Sequence, residues 1–72
     1  MKLNPKKLLR SKWTAVRPQH KEKHFMVTKL ITPEEQHAAI EWVEIEAVHS
    51  KRTEIIAWRH LTDETIWRQG WH

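Results

Sequence analysis

The sequence predicts a single, mostly β domain at the margin of α+β. We expect four antiparallel strands, as a meander or small SH3-like barrel, with short helical turns near each end. Several short stretches alternate apolar and polar residues with the period of a strand. The chain has only 72 residues, and its three Pro and one Gly leave no long linker. Residues 1–72 are therefore interpreted as one domain.

The first predicted elements are a helical turn and a strand. Asn4 precedes Pro5, which is typical of an N-cap followed by proline at the first helical position. Residues 12–17 then predict a strand. Pro18 is expected to end it, since proline restricts the preceding residue and has no N–H to donate. The polar residues 18–23 are interpreted as a loop.

The second predicted strand, residues 24–31, has the clearest alternation. Phe25, Val27 and Ile31 fall on one face, and the residues between them fall on the other. The next segment is ambiguous, because "TPEE" is a capping box that can open a helix while residues 40–49 alternate like a strand. We expect a helical turn or loop over 33–38 and a third strand over 40–49.

A fourth strand is predicted over residues 53–61. Joining it to the third strand by a tight turn places Ile45 opposite Ile56 and Val43 opposite Trp58. This register matches apolar side chains on one face of the sheet. The predicted core comprises Phe25, Val27, Ile45, Ile56, Trp58 and Trp67.

The last stretch, "LTDETIWRQGWH", predicts a short helix followed by a reversal. Thr62 can cap a helix over 63–67, where the acidic residues of the first turn are favourable. Gly70 suits the chain reversal that would fold Trp71 back onto the sheet. Trp67 is expected to cover the core. For Trp71 the sequence allows two roles, covering the core or binding a partner.

Five Trp and no Cys indicate how so small a domain is stabilised. A chain of this size buries only about 60% of its unfolded surface and needs additional stabilisation. Disulfides are excluded, so large aromatic side chains remain the available means. We expect at least three of the five Trp to be structural. The lack of Cys and of a long apolar run fits a cytoplasmic protein.

Four stretches carry a resemblance that covers residues 4–71. "NPKKLLRSKWTAVRP", "KEKHFMVTK", "IEAVHSKR" and "WRHLTDETIWRQGW" resemble a family of small bacterial tryptophan-rich conserved proteins of unknown function. The resemblance implies a compact, soluble, bacterial domain that stands alone. It implies no activity, substrate or catalytic residue, so no functional site is carried over.

Charge is distributed unevenly along the chain. Residues 1–25 have eight Lys or Arg against Glu22 alone, a net charge of +7, and residues 26–72 have a net charge of −3. Residues 1–12 form a basic N-terminal arm. This asymmetry indicates an anionic partner for the basic end, or else a solvated face.

The sequence gives no support for an enzyme. It has no Cys, no Tyr, no Gly-rich phosphate loop and no nucleophile elbow. His20 and His24 are four residues apart, a spacing that zinc sites use on helices, but their segment runs into a strand. We expect surface histidines, no catalytic residue, no metal site and no cofactor.

A binding module for RNA or single-stranded nucleic acid is the favoured hypothesis. Basic side chains neutralise phosphates, and exposed aromatic rings stack on unpaired bases. Trp13 lies among basic residues and is either a stacking residue or part of a buried first strand. The candidate contacts are Lys6, Lys7, Arg10, Lys12, Trp13, Arg17, Lys21 and Lys23.

The alternative hypothesis is a protein-interaction module. Exposed Trp42 and Trp71 would together form an apolar patch rimmed by charge, as interfaces do. An open sheet edge would serve homodimerisation or capture of an extended peptide. The partner is then an acidic protein or a second copy of the chain.

Overall fold

The computed structural model describes residues 3–31 and 39–72, which form one five-stranded antiparallel sheet. The strands are β1 (Lys12–Gln19), β2 (Glu22–Ile31), β3 (Trp42–Ala47), β4 (Thr53–Ala57) and β5 (Trp67–Gln69). Two 3-10 helices, Pro5–Lys7 and Trp58–Thr62, precede β1 and follow β4. Within the described ranges there is no α-helix, and no helix is long or apolar enough to cross a membrane.

The strand order is β4-β3-β2-β1-β5, so the described sheet is open and has β4 and β5 at its edges. The mostly β prediction is confirmed, with a fifth strand that the sequence pattern did not predict. Neither of the finer alternatives, the four-stranded meander or the SH3-like barrel, is confirmed. The N-terminal turn begins as predicted, because the Asn4 side chain accepts a hydrogen bond from the Lys6 N–H at 3.0 Å.

The core lies on one face of the sheet. Leu8 and Leu61, which come from outside the strands, pack onto that face and are themselves buried. Burying a side chain of this size contributes about 1.5–3 kcal/mol. Ile56 and Trp58 are only partly buried and pack against the border of the core. The predicted core residues Phe25, Val27, Ile45 and Trp67 are confirmed as buried, together with Leu8, Trp13, Val43, Ala47 and Leu61.

The first hairpin is longer than predicted, and the expected loop over 18–23 is wrong. β1 continues through Pro18, and the reversal uses only His20 and Lys21, which have φ of 55° and 62°. The β1–β2 register is irregular between Thr14 and Gln19. Proline is tolerated there because β5 pairs with β1 only at residues 13–15.

A bulge in β2 changes which residues face the core. Val27 pairs with Ile45 but Lys29 pairs with Glu44, so β2 has one residue more than β3 at this point. The extra residue moves Leu30 onto the core face, where it packs against the core. Ile31 is displaced to the opposite face, and its predicted place on the face of Phe25 and Val27 is wrong.

The second hairpin has a register two residues away from the predicted one. Val43 pairs with Ile56 and Ile45 pairs with Glu54, so each strand keeps its predicted face but not its partner. The turn between the strands has Lys51 in the left-handed region, with φ of 65°. β4 ends at Ala57, earlier than predicted. The helical turn or loop expected over 33–38 lies outside the described residues.

The helix predicted over 63–67 does not form. The Asp63 carboxylate accepts hydrogen bonds from Thr65 Oγ1 at 2.6 Å and from the Thr65 N–H at 3.0 Å, and both lower the pKa of Asp63. This local turn competes with a helix. Thr62 does not cap a helix, because its hydroxyl donates to the Arg59 carbonyl. Trp67 begins β5 instead, paired with Ala15.

Candidate functional site

A buried threonine on β1 holds the end of the chain. Thr14 is 3% exposed, and its hydroxyl donates to the Gly70 carbonyl at 2.6 Å. The same hydroxyl accepts a hydrogen bond from the His72 N–H at 3.0 Å. Gly70 has φ of 89°, so the predicted reversal is confirmed at the position where glycine is favoured. Residues 70–72 are thereby fastened to the sheet by β1.

The reversal places Trp71 against the first two strands, as predicted. Its indole N–H donates to the Phe25 carbonyl at 3.0 Å. The Lys12 ammonium lies 4.7 Å from the centroid of the indole ring, within the range of a cation–π contact. The His24 ring centroid lies 5.9 Å away with the planes inclined by 35°. Since Trp71 remains 41% exposed, the three side chains form an accessible cluster, here named the Trp71 corner (Lys12, His24, Trp71).

An open groove lies close to the Trp71 corner at the β5 edge. Its volume is about 490 Å³, and Leu61 and Trp67 contribute apolar lining. Arg68 and His72 line it as well. Arg68 on β5 pairs with Thr14 on β1. On the other side of β1, Thr14 pairs with His24 on β2. Arg68 of the groove and His24 of the corner therefore flank the same position of β1, and Glu64 adds an acidic side chain to the groove lining.

All seven basic candidates of the sequence hypothesis are exposed. Lys6 and Lys7 lie in the first 3-10 helix, and Arg10 leads into β1, where its N–H donates to the Val27 carbonyl. Within the described residues, none of the seven forms an ion pair; both ion pairs found there involve Arg52. The remaining candidates lie on the first hairpin: Lys12, Arg17, Lys21 and Lys23.

The two tryptophans that the sequence offered as binding residues besides Trp71 have different positions. Trp13 is 2% exposed and its indole N–H donates to Ser11 Oγ at 2.8 Å, so the predicted stacking role does not fit. Trp42 is 48% exposed. Its register partner on β2 is Ile31, about 20 Å along the strand from Phe25, which binds Trp71. Trp42 and Trp71 thus do not form the single patch predicted.

A second polar cluster joins the two hairpins. Glu22 is 4% exposed, and Arg52 donates to its carboxylate from Nη2 at 2.7 Å and from Nε at 3.1 Å. Ser50 also donates to Glu22. These hydrogen bonds, with that from Arg52 the largest cause, lower the pKa of Glu22 to about 2. A groove of about 430 Å³ beside this pair is lined by Arg17 and other residues.

Sequence reasoning missed both the Trp71 corner as a unit and the Glu22–Arg52 pair. The single Gly before Trp71 was the available signal for the corner, but nothing local indicates that Lys12 and His24 receive the ring. For Glu22, the signal was a lone acidic residue in a basic segment. In the part of the chain that the structure describes, no three His, Cys, Asp or Glu side chains cluster as metal ligands would.

Comparison with known proteins identifies one family. No curated protein and no solved structure matches the chain significantly. The family described as "Tryptophan-rich protein (DUF2389)" matches residues 11–72, a range that contains all five strands. The chain therefore belongs to this tryptophan-rich protein family, in agreement with the resemblance seen in its sequence.

Proposed function

We propose that this protein is a non-enzymatic module that binds RNA or single-stranded DNA across the β1–β2 hairpin and the Trp71 corner. The observation that carries the proposal is the exposure of the basic side chains and the availability of their charges. Seven of them are exposed and outside any ion pair among the described residues, and one of them, Lys12, lies over an exposed indole. Phosphate binding uses solvated cations of this kind.

Unpaired bases fit this surface better than a duplex does. Trp71 offers part of an aromatic ring, and stacking of one base on such a ring is worth about 1–3 kcal/mol. Lys12 has a flexible stem, so a base that reaches the ring can replace the ammonium, which then contacts the adjoining phosphate. A regular duplex keeps its bases stacked inside and presents no free base to Trp71.

The test is a titration with short mixed RNA and single-stranded DNA, followed by Trp fluorescence at a series of salt concentrations. We expect saturable quenching and an affinity that falls with salt, because each neutralised phosphate adds about 0.7 to the slope for a single strand. Absence of binding at low salt contradicts the proposal.

Two matched pairs of variants locate the surface. Reversing charge at Lys6, Lys7 and Arg10 together is expected to abolish binding at moderate salt and to reduce the salt slope by roughly 2. The control reverses Lys29, Lys51 and Arg59, which are also exposed but lie away from the Trp71 corner: Lys29 pairs with Glu44 beyond the β2 bulge, and the other two lie after β3. Equal losses in both variants would show that net charge, and not this surface, drives binding.

The second pair compares the two exposed tryptophans. Trp71→Ala is expected to weaken binding about 10-fold, the equivalent of about 1.4 kcal/mol of stacking. Trp42→Ala is expected to leave the affinity unchanged, because Trp42 lies at the far end of β2 from the Trp71 corner. The reverse order would move the site to the other end of the sheet.

A further inference from the structure

Among the described residues, the backbone groups along the β4 edge form a regular array without hydrogen-bond partners. The Ala47 N–H donates to the Arg52 carbonyl, and the Trp58 N–H donates to the Glu41 carbonyl. In the antiparallel register, these two bonds mean that the even-numbered residues from Arg52 to Trp58 form hydrogen-bonded pairs with the β3 segment. The N–H and C=O groups of Thr53, Ile55 and Ala57 therefore point away from β3, toward the open edge.

β4 has only part of the protection that natural edge strands have: Glu54, the partner of Ile45, places one charge on the core face. It contains no Pro, no Lys and no bulge, whereas the opposite edge strand, β5, is only three residues long. Its central residue, Ile55, is 59% exposed, the largest exposure among the big hydrophobic side chains of the described residues. On the same face of the sheet lie Trp42, 48% exposed, and Ala57, its partner on β4.

We propose that the β4 edge pairs with the β4 edge of a second copy of this chain, antiparallel about a two-fold axis at Ile55. The three outward residues are symmetric about Ile55, so Ile55 meets its equivalent and Thr53 meets Ala57 of the other copy. All six outward N–H groups of the two strands then find carbonyl acceptors. This self-complementarity is what an isologous dimer requires.

Charge disfavours the neighbouring register that has its axis at Glu54. Moving the axis to Glu54 sets the two Glu54 side chains opposite each other, which is unfavourable. With the axis at Ile55, Glu54 lies opposite Ile56 of the other copy. Within its own copy, Glu54 Oε2 lies 3.6 Å from Arg52 Nη1. Across the axis Ile55, 59% exposed in one copy, contacts its equivalent in the other copy. Pairing thus joins the two most exposed aliphatic side chains of the edges and extends the sheet to ten strands.

Disulfide trapping tests the register directly, since the chain has no cysteine. Residues in a hydrogen-bonded antiparallel pair have Cα atoms about 5.5 Å apart, which suits a disulfide. Ile55→Cys is therefore expected to form a covalent dimer under mild oxidation. The control is Thr53→Cys on the same edge, which lies four residues, or roughly 13 Å, from its equivalent and is expected to remain uncrosslinked.

Sedimentation of the unmodified chain and of Ile55→Pro tests the edge itself. The wild-type chain is expected to reach twice the monomer mass as its concentration rises. Proline at 55 removes an outward N–H and leaves the β3 ladder intact, so the variant is expected to stay folded by circular dichroism and monomeric. A wild-type monomer at every concentration, a folded Ile55→Pro dimer, or equal trapping of both cysteine variants would overturn the proposal.

Discussion

The two hairpins of this sheet have opposite surface chemistry although they share one core. The β1–β2 hairpin is basic, with Lys12, Arg17, Lys21 and Lys23, and its outer side is covered by β5 and residues 70–72. The β3–β4 hairpin has acidic strands, with Glu44, Glu46 and Glu54, and its outer edge is open within residues 3–31 and 39–72. A small sheet can thus have two chemically different surfaces when charge and edge protection are divided between its hairpins.

The Glu22–Arg52 ion pair connects the two hairpins. In this pair the basic hairpin contributes the acidic residue and the acidic hairpin contributes the basic one. Glu22 is the only acidic residue of residues 1–25, and Arg52 lies immediately before β4. Each hairpin therefore places one residue of the other's charge at their junction. The ion pair fastens the β3–β4 turn to the start of β2. Substitutions at Glu22 therefore test the contact between the hairpins, and substitutions of exposed residues test their separate surfaces.

The largest effect is expected from the tryptophan that completes the covered side of the β1–β2 hairpin. Trp67 is 7% exposed, packs edge-on against Phe25 at 5.1 Å and donates from its indole to His60. Trp67→Ala is expected to cost about 3–5 kcal/mol, most of the stability of a small domain. Trp42→Ala, on the open hairpin, is expected to cost clearly less, because about half of the Trp42 side chain is already exposed.

Thermal and urea denaturation of the two variants, followed by circular dichroism, measures the difference. Equal losses would mean that Trp42 is as structural as Trp67, and that the β3–β4 hairpin is not the open half of the sheet. If Trp67→Ala has the melting temperature of the wild type, the packing of Trp67 on the core does not contribute to stability.

A smaller effect is expected at the junction between the hairpins. The pKa of Glu22 is lowered from 4.5 to about 2 by Arg52 and Ser50, so the folded state prefers the ionised form. Its contribution is fully present above about pH 4.5 and is lost as the pH falls toward 2. Glu22→Gln is expected to lower the melting temperature at neutral pH, by less than Trp67→Ala, and to flatten its acid dependence.

Melting temperatures measured from neutral pH to pH 2 check this expectation. Glu54→Gln is the matched control, because Glu54 is exposed and its oxygen lies 3.6 Å from Arg52. It is expected to keep the wild-type acid dependence. A Glu22→Gln curve parallel to that of the wild type would show that other carboxylates govern acid stability.

The smallest effect is expected at the turn of the acidic hairpin. Lys51 has φ of 65°, a conformation that costs a residue with a Cβ roughly 1–2 kcal/mol. Lys51→Gly removes that cost but gives the unfolded chain more backbone entropy, which costs about 0.5–1 kcal/mol. The net gain in the free energy of unfolding is therefore at most about 1.5 kcal/mol. Lys51→Ala keeps the strain and is expected to gain nothing.

Urea midpoints of the two variants separate backbone strain from charge. A gain shared by glycine and alanine would assign the effect to loss of the lysine charge in the β3–β4 turn. The same substitution at Lys21, where φ is 62°, extends the comparison to the basic hairpin.

Local patterns were sufficient for most strands but not for their partners. The alternation of Val43, Ile45 and Ala47 correctly predicted a buried face, because side chains alternate along any strand. The β3–β4 register was missed by two residues, since a shift of two preserves the alternation and leaves the choice to the turn. The β2 bulge was missed because Leu30 and Ile31 are equally apolar, so the local pattern does not indicate which of them faces the core.

The candidate site was predictable in composition and not in geometry. The basic character of residues 1–25 is visible in the sequence, and so is the use of Gly70 for a reversal. That Trp13 is buried while Trp71 is exposed depends on which strand lies inside the sheet. β1 became internal only because β5 paired beside it, and a three-residue strand leaves little signal in the sequence.

The amino-acid sequence is enough to predict the strand-rich class, the division of charge between the two halves and the need for aromatic core residues. These properties follow from side-chain type and spacing, which act locally. The folded structure sets the partner of each strand, the burial of each Trp and the contact of Glu22 with Arg52. Those outcomes depend on contacts between distant residues, where many registers satisfy the same local pattern and packing selects one of them.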